Sequence, residues 1–149
     1  MTLGKAAEIA REALEAGETA RLGALRDRLE STILATVESV GINGAGAPRV
    51  PTTTNIFFEF IEGEALVIAL DLKGLAVSTG AACSSGAIEP SHVLTAMGLP
   101  PERARASLRF SLGKQNTADD IDYALSILPE TVARLRDLSP LYKKPLNVQ

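Results

Sequence analysis

The sequence predicts an α/β (α+β) domain in which a small sheet packs against long N- and C-terminal helices. Three observations carry this reading. Apolar residues recur at helical spacing along both ends of the chain. Ser107 to Leu112 alternates strictly between polar and apolar. The 149 residues are 46% apolar but only 4% aromatic, with no Trp. A core of that composition is built from Leu, Ile, Val and Ala, and a chain of this length can bury one such core.

The first forty residues read as a leading helix. Ile9, Ala10, Ala13 and Leu14, then Leu22, Leu25, Leu29, Ile33 and Val37, fall on one stripe of period 3.6. Gly17 and Gly23 weaken it by about 1 kcal/mol each relative to Ala, so a kink or break is expected near Gly17. Gly41 to Pro51 is rich in Gly and Pro and reads as turn and loop, with room for a short strand at its start. Thr52 to Phe60 has the β-branched and aromatic content of a strand covered on both faces near its middle.

Ala65 to Gly74 reads as a short buried helix, with Glu64 in its first turn and Gly74 placed to end it. Leu75 to Ser78 reads as a brief apolar strand. Thr79 to Pro90 has no periodicity and little bulk, and is a loop. Ser91 caps a short helix from His92 to Met97 that Gly98 stops, and Pro100-Pro101-Glu102 starts another helical turn. In the strand Ser107 to Leu112, Leu108, Phe110 and Leu112 face one way, while Ser107, Arg109 and Ser111 face the other. Thr117 with Asp120 forms a capping-box-like start. The stripe Ile121, Ala124, Leu125, Leu128, Val132, Leu135 and Leu138 then marks a long helix, kinked at Pro129 and ended by Ser139-Pro140. Leu141 to Gln149 reads as a loosely held tail.

Charge and composition exclude several function classes. Net charge is −3, and no basic stripe carries interleaved aromatics, so no nucleic-acid partner is expected. No apolar run reaches the length of a membrane span, and no signal peptide is visible. One Cys cannot form an internal disulfide, and one Cys with one His leaves no metal-ligand cluster. A reducing cytoplasm is the expected location.

Cys83 is the leading candidate for chemistry. A lone Cys is often just a small buried hydrophobe. Here its neighbours are Ser, Thr, Gly and Ala, which cannot bury it well, and Gly80 and Gly86 give the segment freedom to move. A thiol on such an arm suits a nucleophile that collects at one site and delivers to another, provided a positive or dipolar neighbour favours the thiolate. Arg109 alone would be an ordinary surface cation. Its flanking serines make that strand face polar, where a guanidinium can hold a carboxylate through two parallel hydrogen bonds. His92 has no close partner in sequence and reads as structural or solvent-facing. Lys5, Lys73, Lys114, Lys143 and Lys144 lie beside no Gly-rich phosphate loop, and neither GxGxxG nor a Walker A sequence is present. No cofactor-binding residue and no metal ligand is expected in this chain.

Four segments together resemble one family: Phe58 to Gly80 (FEFIEGEALVIALDLKGLAVSTG), Ala81 to Leu99 (AACSSGAIEPSHVLTAMGL), Ser107 to Gly113 (SLRFSLG), and the end helix through Arg134 to Pro140 (RLRDLSP). From Asn55 to Pro140 the chain resembles the C-terminal, small domain of a cysteine desulfurase of the iron–sulfur-cluster and nitrogen-fixation type, of the class V aminotransferase fold. Gly4 to Glu15 resembles the helix leading into that domain. The resemblance implies a small domain of a fold-type I pyridoxal-phosphate enzyme spanning 1–140. Residues 1–40 are the leading helix, 41–140 the core with a mobile Cys83 loop at 79–90, and 141–149 the tail.

The family's reaction takes sulfur from L-cysteine as a persulfide and releases alanine. The resemblance makes Cys83 the sulfur-accepting nucleophile and Arg109 the holder of the substrate carboxylate, and it gives His92 no catalytic part. The implied partners are L-cysteine, an iron–sulfur scaffold or other sulfur acceptor, and a pyridoxal-phosphate domain preceding Met1. The full-length enzyme is expected to be a homodimer carrying pyridoxal phosphate. This chain alone is expected to bind none and to be inactive. A stand-alone persulfide carrier and a docking module are the alternatives.

Overall fold

A computed structural model describes residues 2–79 and 90–142. The leading segment is two helices, α1 (Leu3–Glu15) and α2 (Glu18–Thr36), separated at Gly17. Gly17 has φ of 78°, a left-handed conformation that glycine adopts without a Cβ clash. β1 (Val40–Ile42) and β2 (Thr53–Phe58) follow, then α3 (Gly63–Asp71) and β3 (Ser78–Thr79). The short helices α4 (His92–Ala96) and α5 (Pro101–Arg105) precede β4 (Ser107–Ser111) and α6 (Ala118–Leu138).

The four strands form one antiparallel sheet in the order β1-β2-β4-β3. β2 alternates between buried Thr54, Ile56 and Phe58 and half-buried Thr53, Asn55 and Phe57. One sheet face therefore meets the core. Ile56, Phe58, Leu108 and Phe110 pack there against Leu29 and Ile33 of α2, Leu66 and Leu70 of α3, and Ile121, Leu128 and Val132 of α6. The opposite face stays polar and partly open. Phe57 is its main apolar residue, lying against Gly41 and under the Arg103 guanidinium at 4.1 Å from the ring centroid.

Several local readings need correction. The helix expected to be buried, α3, hides only Gly63, Leu66 and Leu70, while Ile68 and Leu72 face solvent. A helix lying on one sheet face buries a single stripe. The strand expected over Leu75–Ser78 is reduced to Ser78–Thr79. Gly74 (φ 78°) turns the chain, and the Leu75 N–H donates to Leu70 O, which closes the helix end instead of a ladder. Leu138 is exposed and falls outside the buried stripe of α6. That helix starts with both hydrogen bonds of a Thr117/Asp120 capping box and runs through Pro129.

Two polar contacts fix the long connection between β1 and β2. Glu30, buried on α2, accepts from both Arg49 terminal nitrogens at 2.6 and 3.0 Å. Arg26 donates to Val50 O at 2.9 Å. Burial alone would raise the Glu30 pKa, but the Arg49 hydrogen bonds and the charges of Arg49 and Arg26 hold it below the ordinary value of 4.5. A depressed carboxyl contributes stability that is present above its unfolded pKa and lost as pH falls through the folded value. The stability gap between the native chain and Glu30→Gln should therefore narrow as pH falls below about 4.5, as read by urea unfolding across that range.

Gly63 supplies a second constraint. A Cβ there would lie 2.5 Å from Arg105 O and 3.3 Å from Ser107 O, both of them backbone. Gly63→Ala should destabilise the fold by about 1–3 kcal/mol through forced displacement of α3 from the start of β4, visible as a lower urea midpoint with an unchanged slope.

Candidate functional site

β4 lies inside the sheet, with β2 on one side and β3 on the other. The antiparallel register places Arg109 opposite Asn55 of β2 and opposite Ser78 of β3. Paired residues point to the same face, so these three side chains form a polar row on the open face. Along β4 the same face carries Ser107 and Ser111. Their partners across β2 are Phe57 and Thr53. No carboxylate stands in this ring of neighbours. Arg109 is exposed, and among the described residues its guanidinium has no hydrogen bond or ion pair. An uncompensated guanidinium framed by hydroxyls and amides is a seat for an anion, and its planar fork suits a carboxylate.

Asn43, just past β1, closes one end of the row. Its Nδ2 donates to Asn55 Oδ1 at 2.6 Å and to Ser107 Oγ at 2.9 Å. Ser107 is fully buried, and its hydroxyl donates to Arg103 O at 2.7 Å. Neither Asn43 nor Asn55 stands out as a site residue in the sequence. The signal that would have found them is the pairing register, which brings residues 64 positions apart into one network.

The expected Cys83 loop, 79–90, lies outside the described residues apart from its two ends, Thr79 and Pro90. Covalent reach still bounds Cys83. Thr79 pairs with Leu108, beside the Ser78–Arg109 pair. Four residues of chain extend at most about 14 Å, so the Cys83 backbone is tethered within that distance of Thr79. His92 is exposed at the start of α4 and belongs to no hydrogen-bond cluster among the described residues.

The described lysines do not fit a pyridoxal-phosphate seat. Lys5 pairs with Glu8 on exposed α1. Lys73 lies 3.8 Å from Glu130 on the turn after α3. Lys114 is exposed on the turn before α6. Lys143 and Lys144 lie outside the described residues. A surface groove of about 440 Å³ between Phe60, Pro100 and Leu141 has no lysine in its lining. A Schiff-base amine needs a desolvated pocket, and none of the described lysines has one. No cluster of metal-ligating side chains occurs among the described residues, and no helix there is long and apolar enough to cross a membrane.

The mixed fold agrees with the comparisons to known proteins. The family model for class-V aminotransferases matches residues 1–124, and the chain belongs to that family. Its relatives include a cysteine desulfurase of Gluconacetobacter diazotrophicus, 44% identical over 140 residues, which covers 94% of this chain and 35% of the relative. The cysteine desulfurase IscS of Methylococcus capsulatus is 49% identical over 141 residues, 95% of this chain and 34% of the relative. A solved NifS-like protein from Rickettsia africae superimposes with a TM-score of 0.66 at 30% identity, over 77% of this chain and 29% of its own. A further solved NifS-like protein reaches a TM-score of 0.71, also at 30% identity, over 86% of this chain and 31% of its own. The chain thus spans about a third of the length of the curated relatives it matches.

Arg109 contributes nothing to the core, so Arg109→Met should leave the unfolding midpoint unchanged. The same substitution should abolish any protection of this sheet face by small carboxylates, measured by amide-resonance shifts on titration.

Proposed function

We propose that this chain is the C-terminal, small domain of a cysteine desulfurase, where it supplies the sulfur-accepting thiol, Cys83, and the carboxylate holder, Arg109. The observation that supports this reading is the placement of Arg109. It is an unpaired guanidinium, among the described residues, on a polar face, next to the strand from which the Cys83 segment departs.

The Cys83 thiolate forms an S–S bond to the sulfur of L-cysteine, and the substrate C–S bond breaks. Its electron pair stays with the substrate carbon, which takes up a proton to become the methyl group of alanine. Cys83 is left as a persulfide. Pyridoxal phosphate, when bound, supplies the conjugated system that takes up such an electron pair. The described residues offer it no seat, so it would be held by other parts of the protein. Arg109 fixes the substrate through its carboxylate, which orients the sulfur toward the thiol.

In the cell the persulfide would pass to an iron–sulfur scaffold or another sulfur acceptor, in the cytoplasm, from a homodimeric full-length enzyme. Supplied with pyridoxal phosphate and L-cysteine, this chain alone should release no sulfide, and robust turnover would sink the reading. Supplied with a separate desulfurase and L-cysteine, it should gain one sulfur atom on Cys83 by mass spectrometry. Cys83→Ser should gain none, and sulfur found elsewhere, or nowhere, counts against Cys83.

A further inference from the structure

We infer that Asn55 is a second contact for the carboxylate that Arg109 holds, and that Asn43 is the positioning residue that turns the Asn55 amide toward it. This rests on the reading of Arg109 as a carboxylate holder. The direction of the hydrogen-bond chain carries the argument. Arg103 O is a carbonyl and can only accept, so the single hydroxyl proton of Ser107 is spent on it at 2.7 Å. Ser107 Oγ must then accept from Asn43, which forces Asn43 to present its amide nitrogen at 2.9 Å. The same nitrogen reaches Asn55 at 2.6 Å, so Asn55 must meet it with Oδ1.

The Asn55 Nδ2 group is therefore directed away from Asn43. Among the described residues it has no acceptor, and Asn55 stands directly opposite Arg109 in the β2–β4 register. Asn43 is itself buried, and its backbone N–H donates to Asn55 O at 2.9 Å, so the orienting amide is fixed rather than free to turn. A carboxylate offers about four lone-pair directions, and a bidentate guanidinium fills two. An Asn55 N–H can take a third. Arg109 and the Asn55 amide then both meet the ligand as donors, so the pair favours a carboxylate over a carboxamide, whose own N–H₂ would meet donors.

The test is a titration of the isotopically labelled 149-residue chain, following the side-chain signals of Arg109 and Asn55. L-alanine should shift the Arg109 Nε–H and the Asn55 Nδ2–H₂ signals together with one midpoint, and L-alaninamide should shift neither. Asn55→Asp keeps the acceptor for Asn43 but replaces the donor with a negative charge. It should weaken L-alanine by about tenfold or more while the sheet's backbone amide spectrum is retained. Asn43→Ala should weaken L-alanine less and broaden the Asn55 amide signal, while the Arg109 response persists. If Arg109 responds and Asn55 does not, or if folded Asn55→Asp binds like the native chain, Asn55 is no contact although the Arg109 reading stands. If neither side chain responds, the Arg109 reading falls and this inference falls with it.

Discussion

The register between β2 and β4 is the constraint on which the rest of this structure depends. Ile56 pairs with Leu108 and Thr54 with Phe110, which commits those side chains to the helices. The alternate pairs, Asn55 with Arg109 and Phe57 with Ser107, are thereby committed to the open face. Side-chain direction has period two along a strand, so a slip of one residue would drive Arg109 into a core of Leu, Ile and Val. Burying an unpaired guanidinium there costs several kcal/mol, far more than a sheet of this size gains from one ladder bond. The site and the core therefore specify the same pairing, one by needing apolar cover and the other by needing solvent.

The surrounding backbone shows how tightly that pairing is held. Ser39 and Phe60 both have positive φ, at 53° and 70°, which is costly for residues with a Cβ. They flank the ends of β1 and β2, and Arg136 of α6 reaches between them. Its Nε donates to Glu59 O and its Nη2 to Ser39 O, each at 3.1 Å. Burial lowers the Arg136 pKa, against the opposing charges of Tyr142, Glu38 and Glu59. A guanidinium remains charged under such a shift. The Glu59 carbonyl and the Ser39 carbonyl, which also accepts the Glu59 N–H, are thus tied together by one side chain from a helix almost a hundred positions after Ser39 in sequence.

The fold was legible where a segment's own pattern fixes its environment. Ser107 to Leu112 announces a strand because alternation needs no partner to be read. The Thr117/Asp120 cap and the stripe after it announce α6 for the same reason. The pattern was less informative where an element's cover comes from elsewhere. α3 is apolar all round in sequence, and only its seat on one sheet face leaves Ile68 and Leu72 outside. Leu75 and Val77 look like strand residues, yet the Gly74 turn spends the Leu75 N–H on α3. At the site, Arg109 could be chosen from its flanking serines. Asn43 could not, because its role exists only through contacts with Asn55 and Ser107, 12 and 64 residues away.

The division of chemistry follows from what each face of the sheet contains. The core face is mostly apolar and closed, so it offers no accessible polar atom to a substrate. The open face offers donors and the Arg109 guanidinium, and among the described residues it has no amine that could form a Schiff base. Such a surface can bind and orient an anion. It cannot by itself stabilise the electron pair left when a carbon–sulfur bond breaks, since that needs a conjugated acceptor next to the breaking bond. The segment that carries Cys83 follows the strand beside Arg109 in sequence. Holding the substrate's carboxylate and receiving its sulfur are tasks for a guanidinium, an amide and a thiolate. On the proposed function, the task of accepting electrons would belong to a group that these residues position a substrate to meet, not to one they hold.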